Sequence, residues 1–138
     1  MNREIKFRGK RVNGGEWVYG MTISNGTIKR KINNIFFEVA ENKWVGVLPE
    51  TLGQYTGLKD KDGREIYEGD ILQYIGKRRD NMNKVYRRKV VFHEGMFALL
   101  SKELPVYSAL NYHCMEDGRS AWSVIGNIHD NPNYQASV

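Results

Sequence analysis

A mostly β fold is predicted (α+β by strict count), with short antiparallel strands, a C-terminal SH3-like small barrel and one short helix. Three observations predict it. Turn residues recur about every ten positions, as they do in all-β domains. The stretches between them are short and rich in β-branched and aromatic residues,. Several alternate apolar and polar side chains, the period of a strand with one buried face. At 138 residues the chain has the size of one domain,. A chain of this length buries roughly two-thirds of its unfolded surface, enough for a core without cross-links.

Residues 4–12 alternate, with Ile5 and Phe7 on one face and Lys6, Arg8 and Lys10 on the other,. Asn13-Gly14-Gly15 is a turn, and residues 16–23 form a strand with Trp17, Tyr19 and Met21 sharing a face. Asn25-Gly26 is a hairpin signal, because both central residues of a type I′ turn need positive φ,. Residues 27–32 would return antiparallel, with further strands at 35–39 and 44–48. Pro49 through Gly53 reads as one helical turn, with proline at its first position and glutamate in its first turn,.

Extended segments follow at 54–58 and 64–67, separated by the tight turn Asp60-Lys61-Asp62-Gly63. Glu68-Gly69-Asp70 turns into a strand at 71–75. The polar segment 76–83 is an exposed loop, and 85–92 is a strand with Tyr86, Arg88, Val90 and Phe92 on one face,. Tyr86 and Phe92 are expected in the core. Glu94-Gly95 turns into a strand at 96–101. Residues 106–116 are the one helix expected, since Val106, Leu110 and Cys114 recur at i, i+4 and i+8 and Asp117-Gly118 suits its end,. A last strand at 122–128 ends at Asp130-Asn131-Pro132-Asn133. The order from Gly69 onward suits a bent sheet closing as a small barrel, which leaves no exposed edge. The expected organisation is a single domain over 1–132: an N-terminal β unit to about residue 48, a turn-rich block 49–71, and a barrel-like part from 69 to 130,. Residues 133–138 are a loose tail,.

The net charge of +5 is segregated: residues 1–11 carry +4, residues 77–89 carry +6, and the other 114 sum to −5. Segregation of this kind suits an anionic partner, although such runs also occur as plain solvated surface. A single cysteine, Cys114, excludes an internal disulfide and fits a reducing compartment,. The N-terminus lacks the apolar run of a secretory signal, and no apolar stretch approaches the ~20 residues of a spanning helix,. No membrane association is expected.

Asp60-x-Asp62-Gly63 superficially resembles the start of a calcium loop, but Arg64 and Ile71 stand where oxygen ligands are needed,. A turn is the better reading: aspartate bonds backbone two residues on, and Gly63 takes positive φ. Glu65, Glu68 and Asp70 sit among turn residues, and no accompanying histidine or nucleophile motif gives them acid–base work,. His113 and Cys114 are adjacent, a poor spacing for ligands of one zinc ion,. No catalytic residue, cofactor or metal is expected. The strongest functional candidates are Lys77, Arg78, Arg79, Lys84, Arg87 and Lys89, with Tyr74, Tyr86 and Phe92 near enough in sequence to stack on bases,. Lys6, Arg8 and Lys10 are candidate helpers.

Several blocks together resemble the YopX family of bacterial phages and prophages: Arg3 through Gly9, Trp17-Val18-Tyr19-Gly20, Pro49 through Asp60, Ile66 through Ile71, and Val124 through Ile128. The resemblance runs from residue 3 to about 132 and implies a phage-borne protein of the bacterial cytoplasm with a largely β fold,. It supplies no activity, catalytic residue or cofactor. The first functional expectation is therefore a non-enzymatic accessory protein binding nucleic acid weakly, with little sequence preference, through residues 77–89. The alternative is an interaction module that self-assembles or binds a phage or host protein. An enzyme is third, and needs a pocket where two of Glu65, Glu68, Asp70, His93 and His129 converge,.

Overall fold

The structure, a computed structural model, describes residues 4–20, 23–25, 35–102 and 106–133. It divides into two compact units, Met1–Tyr55 and Thr56–Val138.

In the first unit β1 (Phe7–Lys10) pairs antiparallel with β2 (Trp17–Gly20), joined by a turn in which Gly14 and Gly15 both have positive φ. A second antiparallel set runs β3 (Ile23–Asn25), β4 (Ile35–Ala40) and β5 (Lys43–Val47). The hairpin turn expected at Asn25-Gly26 and the return at 27–32 lie outside the described residues from Gly26 on. Phe37, Val47 and Tyr55 are buried here. Gly9 lets β1 approach β5 closely, since a Cβ at Gly9 would lie 3.0 Å from the Val47 Cβ,. The expected turn at Pro49 is a short 3-10 turn, Pro49–Thr51. The Thr51 hydroxyl fixes it to β1, donating to the Leu48 carbonyl at 2.7 Å and accepting from the Lys10 amide at 2.8 Å. The next strand, β6 (Gly53–Lys59), begins in this unit, where Gly53 and Gln54 pair with Arg8 and Phe7.

In the second unit the later part of β6 neighbours β7 (Glu65–Tyr67). The five strands β8 (Asp70–Ile75), β9 (Val85–His93), β10 (Met96–Leu100), β11 (Tyr107–Ala109) and β12 (Ser123–Asn127) form one antiparallel sheet in the order β11-β10-β9-β8-β12. Its core is Ile66, Leu72, Val90, Leu99, Leu110 and Trp122. These fall on one side because alternate residues of a strand share a face: Leu72 on β8, Val90 on β9 and Leu99 on β10. The mostly β expectation holds. Among the described residues no pairing joins β11 to β12, so the sheet is open in its hydrogen bonding.

The turn-rich block is a scaffold. The fully buried carboxylate of Asp60 accepts from the amides of Asp62 at 2.9 Å, Arg64 at 2.8 Å and Val124 at 2.9 Å. The first two bonds close the turn and the third ties it to β12. Gly63 sits at φ 88°, as that turn requires,. Buried Asp70 accepts from the Tyr67 amide at 2.8 Å and closes the turn before β8, in which Gly69 has φ 87°.

Two expectations fail in the second unit. The helix at 106–116 does not form. Tyr107–Ala109 is a strand paired with Ala98–Leu100 on β10, followed by a 3-10 turn, Leu110–His113. The apolar spacing misled because one position of the three, Leu110, enters the core, while Val106 is exposed and Cys114 is half-buried in an isolated bridge to Ser120. Phe92 is not a core residue either. It is 56% exposed, because the alternation that buries Val90 carries Phe92 two residues past the core, where it meets Phe97 edge-on at 5.2 Å.

Candidate nucleic-acid interface

Strands β8 and β9 pair from Ile71 opposite Lys89 to Ile75 opposite Val85, and residues 76–84 connect them. That connection is closed by its own backbone. The Gly76 amide donates to the Lys84 carbonyl at 2.8 Å, and the Asn83 amide donates to the Gly76 carbonyl at 2.9 Å. The amide of Lys84 donates to the Asn81 carbonyl at 2.9 Å, and Asn81 Oδ1 accepts from the Arg78 amide at 2.9 Å. Two residues make this path possible. A Cβ at Gly76 would run into the Asn81 carbonyl oxygen, and Asn83 takes φ 63°, which asparagine tolerates,.

Folding the connection inward on Asn81 leaves Lys77, Arg78, Arg79 and Lys84 exposed. Among the described residues none of these four side chains has a carboxylate within ion-pair reach. Arg119, elsewhere in the unit, shows the contrast. It holds Asp117 by two short contacts, Nε to Oδ2 at 2.8 Å and Nη2 to Oδ2 at 2.7 Å. The Arg119 side-chain hydrogen bond holds the Asp117 carboxyl below the usual range, and the guanidinium of Arg119 is raised in turn. Residues 77–89 place seven basic side chains against one acidic, Asp80. The hairpin therefore carries a concentrated positive potential, the electrostatic requirement for holding phosphates.

Along β9 the cations divide by face. Arg87 and Lys89 lie on the outer face, both half-buried, and Arg87 Nε donates to Gln73 Oε1 at 3.0 Å. Arg88 turns inward. Its guanidinium lies 5.5 Å from the Tyr86 ring centre and 5.9 Å from that of Trp122. Lys84 Nζ lies 5.0 Å from the Tyr86 ring centre on the same strand. Tyr86 and Tyr74 are half-buried and pack on the core, their rings 6.3 Å apart. Arg88 was not among the candidate residues. The Tyr86-x-Arg88 spacing, which puts both on one strand face, is the signal that could have found it.

The N-terminal candidates belong to the first unit and have internal partners. Lys6 Nζ lies 3.4 Å from Glu4 and 5.5 Å from the Tyr55 ring centre. Arg8 is 6% exposed, with its guanidinium 4.5 Å from the Trp17 ring centre, and Lys10 Nζ is 5.6 Å from the same ring. Arg8, expected on a solvent face, is buried because β2 lays Trp17 beside it. Ile5, expected on the buried face, precedes the paired residues and is exposed.

Several of the acidic and histidine candidates have structural contacts. Glu65 accepts from the Tyr67 hydroxyl at 2.9 Å, Asp70 serves the Tyr67 amide, and the His129 ring packs beside Gly69. His93 stacks on Tyr107 with ring centres 3.7 Å apart and planes 3° from parallel. Burial pushes the Cys114 thiol up, which disfavours the thiolate a nucleophile needs,.

Fold and site together define a small, mostly β protein that presents a cationic hairpin. The YopX protein family model matches residues 6–134, nearly the whole chain, and the chain belongs to that family. It is also similar to a solved structure, protein EF1440 from Enterococcus faecalis. That likeness has a TM-score of 0.51 and 25% sequence identity, covering 95% of this chain and 97% of that one. No curated protein matches.

Proposed function

We propose that this YopX protein is a non-enzymatic accessory protein, encoded by a phage or prophage and acting in the bacterial cytoplasm, that binds nucleic acid weakly through residues 77–89. The second unit is read as an SH3-like barrel left open between its outer strands. The observation that carries the functional reading is the ordered β8–β9 hairpin, whose side chains Lys77, Arg78, Arg79 and Lys84 are exposed with no carboxylate in reach among the described residues. Counter-ions gathered by such a group are released when phosphate takes their place, and that release drives sequence-tolerant binding. The β1 cations are left out of the reading, because Arg8 is buried and Lys6 already faces Glu4.

Binding should therefore weaken steeply with salt. If four phosphates are neutralised, affinity for a single strand falls roughly 50-fold between about 50 mM and about 200 mM salt. Fluorescence anisotropy of a labelled mixed-sequence oligonucleotide measures this. Absence of binding at low salt, or affinity that ignores salt, overturns the reading.

A protein-interaction module is the second reading. It is favoured by the exposed apolar side chains Phe92, Met96, Val106 and Tyr107 around β9, β10 and β11. A defined oligomer that is indifferent to removal of the four hairpin charges would support it over the first.

A further inference from the structure

Strand register brings residues far apart in sequence into one row. Lys89 lies opposite Leu100 on β10, and Leu100 lies opposite Tyr107 on β11. Directly opposed residues of antiparallel strands share a face. Lys89, Leu100 and Tyr107 therefore stand side by side on the outer face, on which alternation along β9 also puts Arg87, Val91 and His93. Exposure rises across the row, from Ile71 on β8 at 2% to Tyr107 at 38%. Ala98, opposite Val91 and Ala109 on the same face, is fully buried, so the accessible part of the row is its larger side chains toward Tyr107.

On that side His93 stacks on Tyr107, ring planes parallel and close. The imidazole covers one face of the Tyr107 ring and fixes its plane, while Tyr107 remains partly exposed. A ring already held in place loses little rotamer freedom when a second flat group stacks on it. Glu94, 3.9 Å from His93, is the acidic side chain at the far end of this strip. The other end adjoins the cationic hairpin. The nine residues of β9 rise about 3.3 Å each, so the strip is on the order of 25 Å long,. That is room for a few nucleotides, at the lower end of the ~4–16 found for single-strand sites.

We propose that this strip, from the hairpin cations past Arg87 and Lys89 to the Tyr107–His93 stack, is a track for single-stranded nucleic acid, with Tyr107 as a base platform. The proposal rests on the nucleic-acid reading above and adds strandedness to it. A cationic hairpin alone would serve a duplex equally well, because a two-stranded ribbon fits the major groove. A flat aromatic platform beside the cations favours unpaired bases, whose ring faces are open, over bases stacked inside a duplex.

The test compares one labelled mixed-sequence oligonucleotide, single-stranded and annealed, at fixed low salt. The single strand is expected to bind about tenfold more tightly than the duplex, and Tyr107→Ala to remove about tenfold of single-strand affinity with little effect on the duplex. Tyr107→Phe keeps the ring and should retain binding. If Tyr107→Ala proves unstable, ultraviolet cross-linking of the single strand to the wild-type protein replaces it, with an adduct expected on Tyr107. Equal or tighter duplex binding, with Tyr107→Ala indifferent or no adduct within 106–109, overturns the strandedness proposal and leaves the hairpin reading standing. Failure of both forms to bind overturns the hairpin reading itself.

Discussion

Replacing Asp60 by alanine is expected to cost about 4 kcal/mol of folding stability and to lower the melting temperature by about 15 °C, measured by thermal or urea unfolding. Asp60 is fully buried, and its two oxygens take the amides of Asp62, Arg64 and Val124. Alanine leaves all three part-buried donors without this acceptor, and an amide that loses its partner costs about 1–3 kcal/mol when buried and less where water reaches it. Their losses do not simply add, because the freed turn can open toward water and recover part of the cost. Asp60→Asn should lose roughly half as much. Its carbonyl can still close the turn at Asp62 and Arg64, while its NH2 group faces the Val124 amide without accepting from it. A melting temperature within about 3 °C of wild type for Asp60→Ala would show that the turn does not depend on this carboxylate.

Neutralising Lys77, Arg78, Arg79 and Lys84 together, each to glutamine, is expected to reduce nucleic-acid affinity about 100-fold at low salt and to flatten the log–log salt dependence by about 3. The four side chains are exposed and make no ion pair among the described residues. The fold should therefore be nearly indifferent, with each exposed substitution within about 0.5 kcal/mol. That separation matters, since a loss of binding with unchanged melting cannot be ascribed to unfolding. Affinity and salt slope that survive all four changes would move the partner to another surface. The outer-face cations Arg87 and Lys89 should contribute less, because both are half-buried and Arg87 is already held by Gln73.

The strands were legible wherever turn chemistry and alternation agreed. Asp60-x-Asp62-Gly63 announced its own hydrogen bonds, and β8, β9, β10 and β12 fall within about two residues of where alternation put them,. What escaped depended on neighbours distant in sequence. The spacing of Val106, Leu110 and Cys114 suits a helix, yet pairing of Tyr107–Ala109 with β10 captured that segment as strand. Arg8 reads as a solvent-facing residue until β2 brings Trp17 against it. Phe92 reads as core until the length of β9 carries it beyond Val90. The cationic run at 77–89 was plain from composition, whereas the platform near it was not. His93 and Tyr107 meet only through the folding of β9, β10 and β11, and no local pattern in the chain announces the stack.

The central claim is that nucleic acid is held by the β8–β9 hairpin. It is tested most directly by amide NMR of isotope-labelled protein titrated with a mixed-sequence single strand at low salt. The expected result is a set of shifted resonances concentrated in residues 77–89, the Gly76 and Lys84 amides included, that returns to the free spectrum as salt is raised. Shifts confined to residues outside this hairpin, or an unchanged spectrum at saturating oligonucleotide, would contradict it.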